Sequence, residues 1–202
     1  MNSAVLLDRP DWRLIASWVA TGSRVLDLGC SDGALLRILA QTRGVRGYGV
    51  DIDPGNVLAS VRSGINVIQS DLETGLSGFR NQAFDHVILS LTLQAVRHIE
   101  LLLAEMLRVG SEAIVTFPNF GYWPLRWQIL RGQMPVSPEL PYGWYDTPNI
   151  HLCTVRDFEQ FCRSRGYEVI NRNVLHKGAP VRFAPNLRGS IAVFRIRRRD
   201  PE

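Results

Sequence analysis

The run Arg24-Val-Leu-Asp-Leu-Gly-Cys-Ser-Asp-Gly-Ala-Leu-Leu-Arg-Ile-Leu39 constrains this chain more than any other stretch. Val25, Leu26 and Leu28 read as a short buried strand, and Leu35, Leu36 and Leu39 recur as one face of a helix. Between them, Gly29 and Gly33 bracket a tight loop. Such a strand, loop and helix set backbone amides and a carboxylate, Asp27, at the carboxyl edge of a parallel sheet. Open α/β folds bind nucleotide-like ligands at that edge. A second strand, Gly47 to Val50, also ends in a carboxylate, Asp51, and a third, Asn66 to Gln69, leads to Asp71.

The alternation continues. Asp11 to Ala20 reads as an amphipathic helix with Trp12, Ile15, Trp18 and Val19 on its apolar side, and the first-loop helix runs from Gly33 to Ala40. Asp53 before Pro54 is an N-cap and first-turn proline for a helix through Val61. Phe84 to Leu89 is a strand ending in Ser90, Ile99 to Val109 a helix, and Glu112 to Phe117 a fifth strand stopped by Pro118. Short apolar strands separated by helices predict an α/β fold with a mostly parallel sheet covered on both faces. Thr154 caps a helix from Val155 to Arg165. Two strands follow, Tyr167 to Val174 and Ser190 to Arg197, with no helix between them, which predicts an antiparallel finish.

Residues 118–149 break the pattern. They hold six prolines, three tryptophans and three tyrosines, too aromatic for a disordered linker. A packed excursion is expected, covering the ligand edge or a partner surface. The 202 residues suit a single domain over residues 1–202 that includes this excursion. No apolar run reaches membrane-spanning length, so a cytoplasmic location without membrane contact is the expectation.

Cys30, Cys153 and Cys162 lack close metal-ligand spacing and are read as free buried thiols, with no metal expected. The formal charge of +4 is carried almost entirely by arginine. Arg195, Arg197, Arg198 and Arg199 form one cluster, read as a strand running out into a solvated basic end. Contact with an acidic partner or nucleic acid is the alternative, and nucleic acid is the least favoured partner because no aromatic platforms accompany the cluster.

In the first loop, Ser31 stands where a dinucleotide fingerprint has its middle glycine, and Asp32 would repel a pyrophosphate. A ligand with a positive centre and no phosphate fits better, with Asp27 receiving an ammonium. Asp51 lies where a carboxylate accepts both hydroxyls of a ribose, or it serves a turn or helix cap. Capping of the Pro54 helix accounts for Asp53. Asp71 can accept from an exocyclic amine or cap Leu72 and Glu73. Ser90 faces the same edge, either lining the reacting end or serving structure. For a base, His151 and Tyr145 in the aromatic segment are the candidates. No nucleophile elbow occurs, so the chain is not expected to perform acyl transfer itself.

Asp27-Leu-Gly-Cys-Ser-Asp-Gly33, Gly49-Val-Asp-Ile-Asp53, Ser70-Asp71 and Phe84-Asp-His-Val-Ile-Leu-Ser90 resemble the ordered motifs of class I S-adenosylmethionine-dependent methyltransferases. That resemblance implies a Rossmann-like, mostly parallel seven-stranded sheet with an antiparallel last strand. It implies S-adenosylmethionine or S-adenosylhomocysteine as ligand, with Asp27, Gly29 and Gly33 at the methionyl end, Asp51 at the ribose and Asp71 at the adenine amine. Ser31, Ile52, Leu72 and Ser90 complete the expected surroundings, Ser31 replacing the family's usual middle glycine. A closer similarity covers essentially the whole chain. Asn66-Val-Ile-Gln-Ser-Asp71, Leu89-Ser-Leu-Thr-Leu-Gln-Ala95, Val115-Thr-Phe-Pro-Asn-Phe-Gly121, Met134-Pro-Val and Leu140-Pro-Tyr-Gly-Trp-Tyr-Asp-Thr-Pro-Asn-Ile-His-Leu-Cys153 resemble the methionine biosynthesis MetW family. This resemblance implies an accessory protein with an S-adenosylmethionine-binding fold that acts with homoserine O-acyltransferase in homoserine acylation. The alternative is a methyltransferase acting on a small molecule. Exposed tryptophans in the excursion would favour the first, and a closed pocket beneath them the second.

Overall fold

A computed structural model describes residues 9–199. Its strands are β1 (Arg24–Leu28), β2 (Arg46–Asp51), β3 (Val67–Gln69), β4 (Phe84–Ser90), β5 (Gly110–Pro118), β6 (Tyr167–His176), β7 (Ala179–Pro180) and β8 (Ile191–Arg198). They form one sheet in the order β3-β2-β1-β4-β5-β8-β6-β7. The first five run parallel, and β8 lies antiparallel between β5 and β6. The expected antiparallel finish is present. The count of seven strands is corrected to eight, because β6 turns back on itself at its far end. Lys177 and Gly178 both take positive φ, 47° and 82°, the backbone of a two-residue hairpin turn. This pairs His176 with Ala179 and adds β7 at the sheet edge.

The apolar runs of the central strands are explained by burial on both faces. Leu26, Leu28, Val87, Leu89, Val115 and Phe194 pack in one core with Met106, Phe117 and Phe158. Their strand neighbours Val25, Ile88, Ile114 and Val193 pack in the other with Ile15, Leu35, Leu36 and Leu39. Alternate residues of one strand thus feed two layers of helices. These helices are α1 (Pro10–Trp18), α2 (Ala34–Arg43), α3 (Pro54–Arg62), α4 (Ile99–Val109), α5 (Trp123–Leu130), α6 (Val155–Ser164) and the short α7 (Pro185–Arg188). The helix after the first loop outruns its expected end at Ala40, since Gly44, in left-handed conformation, stops it. Asp53 caps α3 by accepting from the Asn56 amide, and Thr154 and Asp157 form a reciprocal capping box on α6. Among the described residues, no helix is long and apolar enough to cross a membrane.

The basic C-terminal cluster is divided. Arg195 is partly buried and donates from Nε and Nη2 to Glu112 on the neighbouring strand, at 2.7 and 2.9 Å, so it is not part of a solvated end. Arg197 pairs with Glu168 at the surface, and Arg199 is exposed.

The excursion leaves β5 at Pro118 and forms α5. Its apolar residues point all round the axis, and only Leu125 is buried. The segment returns through hydrogen bonds from Ile150 N and His151 N to the carbonyl of Gln94, at 2.7 and 3.0 Å. Trp123, Trp127 and Trp144 remain exposed, Trp144 by 75%.

Candidate functional site

The loop after β1 folds across the end of β2. The amides of Gly29 and Cys30 both donate to the carbonyl of Val50, at 2.8 and 3.1 Å. Gly29 has φ +69°, and a Cβ there would lie 2.7 Å from Thr92 Oγ1, so both the turn and the approach of the next segment require glycine. Ser31 also sits in the left-handed region, with φ 51°. That conformation costs a side-chain-bearing residue about 1–2 kcal/mol. Two hydrogen bonds oppose it: Ser31 N donates to Asp51 Oδ2 at 2.8 Å, and Ser60 Oγ donates to the Ser31 carbonyl at 2.9 Å. The serine therefore occupies the glycine position without opening the loop. Asp32 accepts from the Ala34 amide at the start of α2.

Asp51, buried at the end of β2, also accepts at Oδ1 from Asp53 N (2.9 Å) and Asn56 Nδ2 (3.2 Å). A carboxylate offers about four lone-pair directions, which leaves capacity for a ligand donor beside the three protein donors. Asp71 caps the 3₁₀ turn Leu72–Thr74, accepting from Glu73 N at 2.9 Å through Oδ1. Its capping reading is realised, and only one carboxylate oxygen is engaged in it. A cavity of about 710 Å³ opens over these residues. Gly29, Ser31, Asp51, Ile52, Asp71 and Leu72 line it, together with Thr92 and Ala95–His98. Ile52 is 62% exposed, an apolar side chain set beside a concave surface.

A second cavity, about 300 Å³, shares Gly29 and Ser31 with the first and is lined further by Asp27, Cys30, Asp32 and Ser90. Asp27 is 2% exposed. Burial, reinforced by the negative Asp51 and partly offset by Arg9, pushes its carboxyl up to about 7. Among the described residues no hydrogen bond reaches that carboxylate. Ser90 Oγ accepts a long, 3.4 Å hydrogen bond from Thr116 Oγ1.

Eight of the nine residues expected around a cofactor thus line the two cavities, six of them the larger, with Asp27 and Ser90 in the smaller. Gly33 lines neither; it starts α2 with φ +73° and backs onto Ile65 and Ser60. Tyr145 is 77% exposed and stands edge-on to Trp144. His151 Nε2 lies 3.2 Å from the carbonyl of Arg97, and neither His151 nor Tyr145 lines either cavity. Burial pushes all three cysteine thiols up to about 12, so they are protonated and unreactive.

Two groups of lining residues escaped the sequence reading. Glu73 accepts from Arg97 N at 2.6 Å and lies 2.7 Å from His98 Nδ1, linking two segments that line the larger cavity. The Arg97 amide, with the His98 ring, holds its carboxyl below the usual range. Arg9 and Trp12 line the smaller cavity. In the sequence Trp12 reads as part of the apolar side of the first helix, and no motif marks Arg9; proximity in the fold is the only signal.

The fold is shared with S-adenosylmethionine-dependent methyltransferases. One from Archaeoglobus fulgidus superposes with a TM-score of 0.71 at 14% identity, over 96% of this chain and 93% of that one. Magnesium protoporphyrin IX methyltransferase from Synechocystis, solved with bound S-adenosylhomocysteine, superposes with a TM-score of 0.65 at 17% identity, over 98% and 84%. A bifunctional methionine biosynthesis protein MetXA/MetW from Rhodopirellula baltica is 41% identical over 157 residues, 73% of this chain. The chain spans only 25% of that relative's length. The family described as methionine biosynthesis protein MetW matches residues 9–196. With this coverage and the methyltransferase fold beneath it, the chain belongs to the MetW family.

Proposed function

We propose that this protein binds S-adenosylmethionine or S-adenosylhomocysteine and acts as an accessory partner of homoserine O-acyltransferase in methionine biosynthesis. The bound ligand would supply an electrophilic methyl group, or in its demethylated form an occupancy signal. Asp27 would receive the ammonium, Asp51 the ribose hydroxyls and Asp71 the adenine amine, with Ile52 and Leu72 against the base. Gly29, Ser31 and Ser90 border the methionyl end, and Gly33 sets the start of α2. The chemistry of the donor set fits: a buried carboxylate without a hydrogen-bond partner suits a cation, and the acidic loop disfavours phosphate.

The exposed face of the excursion carries the partner half of this reading. A helix apolar all round is ordinarily buried, yet α5 buries only Leu125. Exposed aromatic side chains are enriched at interaction sites. Residues 118–149 carry Arg126 and Arg131 against Glu139 and Asp146, a charge balance that suits a protein rather than an anionic membrane. The relative named MetXA/MetW joins two methionine-biosynthesis names in one chain, which supports homoserine O-acyltransferase as that protein. The Gln94 carbonyl links the excursion to Ala95–His98 on the cavity wall. A ligand favouring one arrangement of that wall would thereby tune the partner.

The test is the rate and co-purification of homoserine O-acyltransferase with and without this protein and S-adenosylhomocysteine, using Asp51→Asn as the control. A ligand-dependent change lost in the variant is expected. Methyl transfer from labelled S-adenosylmethionine, with no effect on the acyltransferase, would replace this reading with that of a small-molecule methyltransferase.

A further inference from the structure

We infer that Arg13 and Lys177 hold the carboxylate of a small aliphatic acid in a third cavity, beside the turn between β6 and β7. The site shares no lining residue with the two cavities described above, so it stands whether or not they hold a nucleoside ligand.

This cavity, about 420 Å³, is lined from four segments: Arg13 of α1, Leu175 and Lys177 at the end of β6, Ser190 and Ile191 at the start of β8, and Glu139 of the excursion. A Cβ at Gly178 would lie 3.3 Å from Pro10 Cγ and 4.0 Å from Arg13 Nη2. The guanidinium therefore stands beside the turn that carries Lys177. Lys177 takes φ 47°, at a position where a two-residue hairpin turn favours Asn, Asp or Gly. It is also the only lysine of the sequence, whose other cations are arginines. A lysine kept against the backbone preference of its turn, at the rim of a cavity, points to a use for its ammonium.

The charges of this cavity do not balance. Among the described residues, neither the Arg13 guanidinium nor the Lys177 ammonium has a hydrogen bond or ion pair. Glu139 is the one carboxylate among the lining residues, and it accepts from Ser137 Oγ at 3.1 Å. Two cations against one carboxylate leave a single positive charge for a ligand to match. The floor sets the rest of the chemistry. Leu175 and Ser190 are 3% and 4% exposed, and Ile191 packs with Leu175 against the same core. Inorganic phosphate would turn oxygens toward Leu175 and Ile191, which offer no side-chain donor, and its second charge would face Glu139. A monocarboxylate with a short alkyl body places its two oxygens on the guanidinium fork and the ammonium. Its carbons then cover the aliphatic floor.

The experiment is an NMR titration of the full chain with butyrate, inorganic phosphate and sodium chloride, following the amide signals of Gly178 and Ser190. Butyrate is expected to shift both signals to saturation, with phosphate binding several-fold more weakly and chloride showing no saturation. Arg13→Gln and Lys177→Asn should each weaken butyrate by about tenfold to a hundredfold, the scale of a charged hydrogen bond. Glu139→Gln should strengthen it several-fold by removing a like charge. Lys177→Asn should also raise the melting temperature, since asparagine suits the turn, so its loss of binding cannot come from unfolding. Undiminished butyrate affinity in Arg13→Gln or in Lys177→Asn overturns the assignment. Shifts that grow linearly and alike with butyrate and chloride make the two cations solvated surface charges and overturn it too. Tighter binding of phosphate than of butyrate would overturn the carboxylate class, because the aliphatic floor would then play no part.

Discussion

The amide of Ser31 donates to the Asp51 carboxylate at 2.8 Å. That bond makes the first loop and the acidic end of β2 one unit, although the two residues come from different strand–helix repeats. It also explains how a serine stands at a left-handed position without displacing the loop from the cavity.

Ser31→Gly removes the steric cost of φ 51° but adds freedom to the unfolded chain, and the two effects are similar in size. Stability should stay within about 1 kcal/mol of wild type, and affinity for S-adenosylhomocysteine should be retained. Ser31→Val places a β-branched residue in the same conformation and should cost about 1–3 kcal/mol. Thermal unfolding and calorimetric titration of both variants check this; a strongly stabilised glycine variant with sharply improved affinity would show that Ser31 strains the site.

Asp27 predicts opposite pH trends for binding and for stability. Its folded carboxyl is raised to about 7 by burial and by Asp51, against Arg9. Between the ordinary carboxyl value of 3.8 and about 7 the folded state holds a proton that the unfolded state has released. Stability of the ligand-free protein attributable to this group therefore falls as pH rises through that window. Ligand binding needs the ionised carboxylate, so affinity for the ammonium-bearing ligand should weaken as pH drops below about 7. Asp27→Asn should raise the melting temperature at pH 8 by a few degrees, at about 2–4 °C per kcal/mol, with little gain at pH 4. It should also flatten the pH dependence of binding. Melting curves and titrations at pH 6 and 8 decide it; an unchanged slope in the variant would assign the effect to another group.

Trp127→Glu and Trp144→Glu put charge on exposed residues of the excursion that line neither of the two cavities. Each should lower stability by less than about 0.5 kcal/mol, as surface substitutions do, and keep ligand affinity. Co-purification with homoserine O-acyltransferase should fall at least about tenfold, the scale of an aromatic interface anchor. Undiminished co-purification in both variants would move the interface off this face.

Asp51→Asn should lower affinity for S-adenosylhomocysteine by about a hundredfold and stability by about 1–3 kcal/mol, because the carboxylate also serves two backbone amides. Titration with parallel unfolding curves separates the two losses. Unaltered affinity would remove Asp51 from the ligand site.

Much of the scaffold was determined by local sequence. The apolar pairs Val25–Leu26, Ile88–Leu89 and Ile114–Val115 demand burial on both faces of a strand, and only a sheet between helix layers provides it. Asp53–Pro54 and Thr154–Asp157 state their helix starts within four residues, since caps are made by near neighbours. Asp51 and Asp71 could be expected at the carboxyl edge of the sheet because Asp51 ends β2 and Asp71 lies two residues past β3. Tertiary structure decided the rest. Arg195 reads as part of a basic tail until β8 lies beside β5 and brings Glu112 to it. Glu73 meets Arg97 and His98 only when the 3₁₀ turn Leu72–Thr74 lies beside the segment that follows β4. Arg9 and Asp27 line one cavity only because the start of α1 lies beside the first loop. Periodicity and capping are local properties that a chain displays along its length. The pairing of charges across a cavity depends on which distant segments the hydrophobic cores bring together.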